Sequence, residues 1–134
     1  MPKLRTYIRV ADFKADKIYL SKPLSFIQRK FLAKLRLGVL PLRIETGRYE
    51  RPRRSPEERL CTQCSRGNTE DESHFLLDCP RHTLLRTELY SNIENEDFPD
   101  FTKNEQLKFL LNDPSIVKQT AQFVASAYDN RDVD

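Results

Sequence analysis

The sequence predicts a small, mainly α-helical domain with irregular loops. Apolar residues recur at spacings of three and four in several windows, which is the period of an amphipathic helix. Eight prolines and three glycines interrupt those windows and limit the length of each element. Only 38% of the 134 residues are hydrophobic and 32% are charged, so the hydrophobic core is expected to be small. A covalent or metal cross-link would help such a chain to fold.

The first clear helical pattern covers about residues 23 to 37. Pro23 suits the first helical turn, and Gly38 suits the C-terminal cap. The apolar stripe of this helix consists of Leu24, Ile27, Phe31 and Leu35. Its opposite face carries Arg29, Lys30, Lys34 and Arg36, so the helix is expected to bury one side and show a basic one.

The segments on either side of this helix are less regular. Residues 3–14 fit either a helix or a short strand, and the helix is favoured. On the other side, Pro41 and Gly47 bracket residues 42–46. That stretch is short and mixed in character, so it is expected to form an extended connection.

The second half of the chain contains three further helical patterns. A helix opened by Pro80 is expected over about residues 81 to 93, and an acidic loop follows it to Phe101. Thr102 and Glu105 have the spacing of a capping box, so a short helix is expected to start there. The stripes of these two helices are Leu84, Leu85, Leu89 and Ile93, and then Leu107, Leu110 and Leu111.

The last helix is expected to begin at Asp113-Pro114, with the aspartate as its N-cap and the proline in its first turn. Its apolar stripe consists of Val117, Ala121, Val124 and Tyr128. The tail after Tyr128 is expected to be frayed.

The cysteines and one histidine form the pattern Cys61-x2-Cys64-x9-His74-x4-Cys79. Zn²⁺ favours four thiolate or imidazole ligands in a tetrahedron, and an odd number of clustered cysteines suits a metal site better than a disulfide framework. Three thiolates and one imidazole leave no open coordination position, so the predicted zinc ion is structural. The predicted fold is therefore a small helical domain with irregular loops organised around one structural zinc site. His82 is an alternative fourth ligand in place of His74.

The spacing between the last two ligands places a demand on the backbone. In a regular α-helix, the side chains of His74 and Cys79 would point about 140° apart, so the helix must distort or end before both can reach one ion. Pro80 provides a reason, because it disfavours helical geometry at Cys79. The residues between the ligands, Phe75, Leu76 and Leu77, are expected to be core anchors.

The charge of the chain is distributed unevenly. Residues 1–60 contain 16 Lys/Arg and 6 Asp/Glu, whereas residues 61–134 contain 7 and 14. Three regions follow from this: a basic helical region (1–60), the zinc site with its following helix (61–93), and an acidic linker with C-terminal helices (94–134), expected to form one compact unit. The basic region predicts contact with a polyanion. The expected contact residues are Arg29, Lys30, Lys34, Arg36, Arg48, Arg51, Arg53 and Arg54, with Tyr49 either a stacking ring or a half-buried packing residue.

The ligand region resembles a known family. Residues 32–37, 44–49 and 57–64, followed by Glu70-Asp71-Glu72-x-His74-Phe75-Leu76-Leu77-x-Cys79-Pro80, are similar to the C-terminal part of reverse transcriptases encoded by non-long-terminal-repeat (non-LTR) retrotransposons. The resemblance covers about residues 4 to 90. It implies a Cys-Cys-His-Cys zinc knuckle formed by Cys61, Cys64, His74 and Cys79, which follows the polymerase and helps to handle element RNA or target DNA. The nine residues between its second and third ligands exceed the four of retroviral nucleocapsid knuckles.

The sequence shows no polymerase motif, no phosphate-binding glycine loop and no recognisable nucleophile, so an enzymatic role is not expected. Two functions remain. The first is a zinc-stabilised accessory module that binds RNA or DNA. The second is a structural zinc scaffold that docks on a polymerase domain or another protein. No hydrophobic run reaches the roughly 18 residues of a membrane span and no signal peptide is recognisable, so an intracellular location, nuclear or cytoplasmic, is expected without membrane contact.

Overall fold

The computed structural model of the chain describes residues 25–131. The helix expected over residues 3–14 lies outside them, as do Pro23 and Leu24. In the described part the helices are α1 (Phe26–Leu37), α2 (Arg43–Thr46), α3 (Thr83–Tyr90), α4 (Lys103–Asn112) and α5 (Val117–Asp129). The described residues contain no strand beyond one isolated antiparallel bridge between Leu60 and Thr69. The prediction of a small, mainly helical fold is therefore confirmed.

Short turns connect these helices. Four segments are 3₁₀ helices, namely Gly47–Tyr49, Pro56–Glu58, Pro80–His82 and Phe98–Asp100, and His74–Asp78 forms a π-helical turn. Among the described residues, no helix combines the length and the apolar character that a membrane crossing requires.

Helix α1 begins three residues later than the sequence pattern predicted. Ser25 is its N-cap: the Ser25 hydroxyl accepts a bond from the Gln28 amide (3.1 Å), and the Gln28 side chain accepts one from the Ser25 amide (3.2 Å). Because Ser25 itself is extended, α1 starts with Phe26, and the predicted position of Pro23 in the first turn lies outside the described residues. The predicted end is confirmed, since Gly38 adopts the left-handed conformation with φ 73°.

The buried face of α1 also differs from the predicted stripe. Leu32, Leu35 and Arg36 are buried, whereas Ile27 is 58% exposed. This face packs against α5, where Val117, Ala121 and Val124 are fully buried as predicted. Arg36 can lie on this buried face because its guanidinium donates to the carbonyl of Leu111 at 2.8 Å and to the side chain of Asn112.

The expected extended connection over residues 42–46 is wrong, because these residues form α2, which continues into the 3₁₀ helix Gly47–Tyr49. The carbonyl of Leu42 accepts bonds from Glu45 and Thr46, which closes the single turn. Leu42 and Ile44 are buried and the Ile44 amide donates to the carbonyl of Glu70, so tertiary contacts stabilise a helix too short to persist alone.

The C-terminal helices follow the sequence pattern more closely. Pro80 opens the turn before α3 as expected, although α3 ends at Tyr90 and its Leu84 is 87% exposed. The capping box of α4 is confirmed by reciprocal bonds between Thr102 and Glu105. Helix α5 begins at Val117 rather than at the expected Asp113-Pro114 pair. The Asp113 amide donates to the carbonyl of Phe109 and ends α4, and the Asp113 carboxylate accepts a bond from the Ser115 amide in the turn between the two helices.

One core unites these elements. It contains Leu32 and Leu35 of α1, the leucines of α4, and Val117, Ala121 and Val124 of α5. Phe75, Leu76 and Leu77 join it from the π-helical turn, as the sequence predicted, so the segment that carries two of the candidate ligands is packed directly against the helices.

We expect Gly47→Ala to lower the free energy of unfolding by about 1–3 kcal/mol, because a Cβ atom there would lie 2.5 Å from Cγ of the buried Arg59. The side chain of Arg59 cannot move away freely, since it donates to the carbonyls of Arg54 (3.0 Å) and Ile44 (2.7 Å). The measurement is urea denaturation. The same substitution in an Arg59→Ala background should cost less, because only the Cβ atom of residue 59 remains near the added Cβ, at 3.3 Å. Stabilisation by Gly47→Ala alone, the usual result in a helix, would contradict this contact.

Candidate metal centre

Four candidate ligands converge in the structure. The sulfur atoms of Cys61, Cys64 and Cys79 and a ring nitrogen of His74 all lie within 4.8 Å of one another. The Cys61 and Cys79 sulfurs are 3.8 Å apart, and the Cys64 sulfur is 3.5 Å from Nε2 of His74. Cys61, His74 and Cys79 are buried, and Cys64 is partly exposed. This arrangement is compatible with a metal site.

A narrow turn over residues 60–69, called here the cysteine turn, carries the first two cysteines. The Leu60–Thr69 bridge and a bond from the Cys61 amide to the carbonyl of Asn68 (2.8 Å) hold its two arms together. Inside the turn, the Gln63 amide points at the sulfur of Cys61 at 3.4 Å. Such an amide would stabilise a thiolate at Cys61, which is compatible with metal coordination by this sulfur.

The π-helical turn His74–Asp78 begins with the third candidate ligand, His74, and is followed directly by the fourth, Cys79. Asp71 caps it, since its carboxylate accepts a bond from the His74 amide at 2.8 Å. The Cys79 amide donates to the carbonyl of His74 at 2.7 Å, and Cys79 itself is extended. Because this bond spans five residues, one widened turn brings residues 74 and 79 to the same side. The expected distortion of the helix is therefore confirmed.

His82 is not part of the cluster. Its ring is 1% exposed and packs edge-on against Phe75 (5.1 Å between centroids) and Phe123 (6.3 Å). Neither ring nitrogen has a hydrogen-bond partner among the described residues. Burial, together with the nearby Arg86 cation, lowers the pKa of His82 to about 4, so the ring is neutral and fills space in the core.

The buried side chain of Arg86 is hydrogen-bonded to the π-helical turn and to Cys79. Its guanidinium donates to the carbonyls of Leu76 (2.9 Å), Cys79 (2.9 Å) and Phe75 (3.1 Å). These bonds supply donors to the carbonyls of an irregular, buried segment, and the Cys79 carbonyl also accepts a bond from the His82 amide at 3.2 Å. They also place a buried positive charge next to Cys79, where it would offset the charge of metal-bound thiolates. The sequence gives no signal for this role, because Arg86 looks like an ordinary helix-surface cation.

Glu70 connects the cysteine turn to the C-terminal end of α5. Its buried carboxylate accepts two bonds from Arg131, at 2.6 and 3.0 Å, and a third from the Arg43 amide at 2.8 Å. Its own amide donates to the carbonyl of Arg59. The residues after Tyr128 were expected to fray, but Arg131 is fixed by this ion pair because it reaches the interior beside the metal-ligand segment.

Burial sets the protonation states of the candidate ligands in the absence of a metal ion. It raises the pKa of the Cys61 and Cys79 thiols and lowers the pKa of the His74 imidazole. At neutral pH these two thiols are therefore protonated and the imidazole is already neutral. A metal ion must displace the thiol protons to bind, so its affinity rises with pH.

The expected polyanion contacts occupy different environments. Arg29 and Lys30 are exposed on α1, and Lys34 is half-buried. The prediction of Arg36 as a surface contact is wrong, because its side chain is buried against the end of α4. The remaining cations, Arg48, Arg51, Arg53 and Arg54, lie together with Tyr49 on one segment after α2.

The chain matches no protein-family model, and the searches of curated proteins and of solved structures found no match.

We expect Arg131→Ala to lower the free energy of unfolding by about 3–5 kcal/mol, because it leaves the buried Glu70 carboxylate without its cation. Denaturant unfolding at a fixed metal concentration measures this. Lys103→Ala is the matched control, since it breaks an ion pair with Asp78 in which the lysine side chain is 66% exposed, and it should cost at most about 1 kcal/mol. Equal effects of the two variants would show that the Glu70–Arg131 pair does not hold the C-terminal end in place.

Proposed function

We propose that this protein is a zinc-stabilised module that binds nucleic acid through its basic surface. The observation that carries the zinc proposal is the convergence of three sulfurs and one imidazole nitrogen within 4.8 Å. A tetrahedral zinc ion with ordinary bond lengths has ligand edges of about 3.8 Å between sulfurs and about 3.6 Å between sulfur and nitrogen. The distances of 3.8 Å for Cys61–Cys79 and 3.5 Å for Cys64–His74 agree with those edges.

The proposed zinc ion has a structural role. Four protein ligands fill the tetrahedron, so no position remains for a water molecule or a substrate. When bound, the ion would join the cysteine turn to the π-helical turn. Apart from the candidate ligands themselves, a bond from the Arg66 side chain to the carbonyl of Asp78 at 3.4 Å connects the two turns. For a chain with so small a hydrophobic fraction, such a cross-link adds substantially to stability.

The nucleic-acid part of the proposal rests on charge and exposure. Arg51, Arg53 and Arg54 are exposed on one short segment, and Arg29 and Lys30 are exposed on α1. Guanidinium groups are well suited to phosphate contacts. The resemblance of the ligand region to the part of retrotransposon reverse transcriptases that follows the polymerase supports the same function.

The zinc proposal predicts one tightly bound metal ion per chain. With Co²⁺ as the probe, titration should give the strong visible absorption of a tetrahedral thiolate site. His74→Leu should weaken binding by more than about 100-fold, because losing a ligand exceeds the 10- to 100-fold cost of losing a residue that merely supports one.

His82→Leu is the matched control for that experiment, because it removes the other histidine, which lies outside the cluster and fills space in the core. It should keep the metal. If His74→Leu kept the metal and His82→Leu lost it, the ligand set would be wrong. Chelation of the wild-type metal should also reduce helical circular dichroism, since the ion would stabilise the fold.

The nucleic-acid proposal is tested by fluorescence anisotropy of the metal-loaded protein with a labelled RNA hairpin across a salt series. We expect affinity to fall steeply with salt, and the double variant Arg51→Gln/Arg53→Gln to reduce the slope by about 2, one for each lost phosphate contact.

Lys108→Gln/Lys118→Gln is the control, because it removes the same charge from exposed positions on α4 and α5. Unchanged binding by the arginine variant would exclude these phosphate contacts. Absence of binding even at low salt would reject the nucleic-acid function and favour the scaffold that docks on another protein.

A further inference from the structure

The segment that carries Tyr49 is a closed loop with a fixed base. The Arg54 amide donates to the carbonyl of Gly47 at 3.1 Å, so residues 47–54 form a loop, called here the 47–54 loop. Beneath it, the buried side chain of Arg59 donates to the carbonyl of Arg54 at 3.0 Å and passes directly against Gly47. The two ends of the loop are thus held by one buried arginine, and its middle residues face outward.

The Tyr49 ring is presented in a defined position. Its side chain is 63% exposed, and its hydroxyl donates to Oε1 of Glu45 at 3.2 Å. Glu45 is itself buried in α2, so the hydrogen bond connects the hydroxyl end of the ring to a buried side chain. A ring held in this way loses little conformational freedom when a flat partner stacks on it.

The cations around Tyr49 fall into two groups. Arg48 lies 3.6 Å from a carboxylate oxygen of Glu45, and Arg43 and Arg54 share the carboxylate of Glu50 at 2.5 and 2.8 Å. Among the described residues, no carboxylate is paired with Arg51 or Arg53, and both are exposed. The 47–54 loop therefore offers one aromatic ring and, two and four residues further on, two guanidinium groups available to a ligand.

We propose that the 47–54 loop binds single-stranded nucleic acid, with a base stacked on Tyr49 and the adjacent phosphates on Arg51 and Arg53. This inference rests on the proposed nucleic-acid function and deepens it by naming the form of the partner. An exposed aromatic ring stacks favourably on the face of an unpaired base. In a duplex the base faces are already stacked on one another and do not reach the ring. Two cations alone would not distinguish a duplex from a single strand.

The test compares two labelled ligands of about 20 nucleotides, an unstructured oligouridine and an RNA duplex, by fluorescence anisotropy with the metal-loaded full chain. We expect the single strand to bind more tightly than the duplex. Tyr49→Ala should weaken single-strand binding by about 5- to 150-fold and leave duplex binding nearly unchanged. Tyr49→Phe keeps the ring and should retain most of the affinity.

Phe26→Ala is the matched control, because it removes another strongly exposed aromatic ring, at the start of α1, and it should not change the preference for single strands. Metal content and circular dichroism establish that each variant is folded. Equal affinity for both ligands, unaffected by Tyr49→Ala but reduced by Arg51→Gln/Arg53→Gln, would overturn the stacking inference and leave the proposed function standing. Absence of binding to either ligand at low salt would overturn both.

Discussion

The structure depends on how the carbonyl groups of its buried, irregular segments obtain hydrogen-bond donors. The described residues contain no sheet, and the ligand-bearing segment crosses the interior in turns that cannot pair all of their own carbonyls. Arginine side chains supply the donors. Arg86 donates to the carbonyls of Phe75 and Leu76 in the π-helical turn and of Cys79 directly after it. Arg59 donates to those of Ile44 and Arg54, and Arg36 donates to that of Leu111. A guanidinium group suits this role because it offers five donors in a fixed plane.

This arrangement makes the candidate metal centre part of the helical core. Phe75, which follows the first ligand of the π-helical turn, packs 6.1 Å from the Phe123 ring of α5, and Arg86 of α3 holds the carbonyls of the same turn. The Glu70–Arg131 pair adds a second connection, from the cysteine turn to the residue just beyond α5. Because the π-helical turn is bonded to α3 and Glu70, next to the cysteine turn, is bonded to the residue just beyond α5, a metal ion that joins the two turns would also couple them to the helical core, and both would unfold cooperatively.

The features that the sequence predicted are those governed by local chemistry. The capping box at Thr102, the glycine at the end of α1 and the ligand spacing all depend on a few neighbouring residues, and the structure contains each of them. The α2 helix was missed because its stability comes from contacts outside its own segment, such as the bond between Ile44 and Glu70. The ion pair of Glu70 with Arg131 joins residues 61 positions apart, and no local pattern indicates such a partner.

The positive charge of the sequence overstates the surface that can bind a polyanion, because several arginines are buried or paired with carboxylates. The basic first half of the chain suggested a broad polyanion-binding face, but Arg36 and Arg59 are buried. Arg43, Arg48 and Arg54 are paired with carboxylates, and the cations most available to a ligand in the described part are therefore few. The electrostatic free energy of binding grows with the number of phosphates neutralised, so a small set of cations gives only modest affinity at physiological salt. A fixed aromatic ring adds a contribution that salt does not screen, and on this surface it would decide which form of nucleic acid is bound.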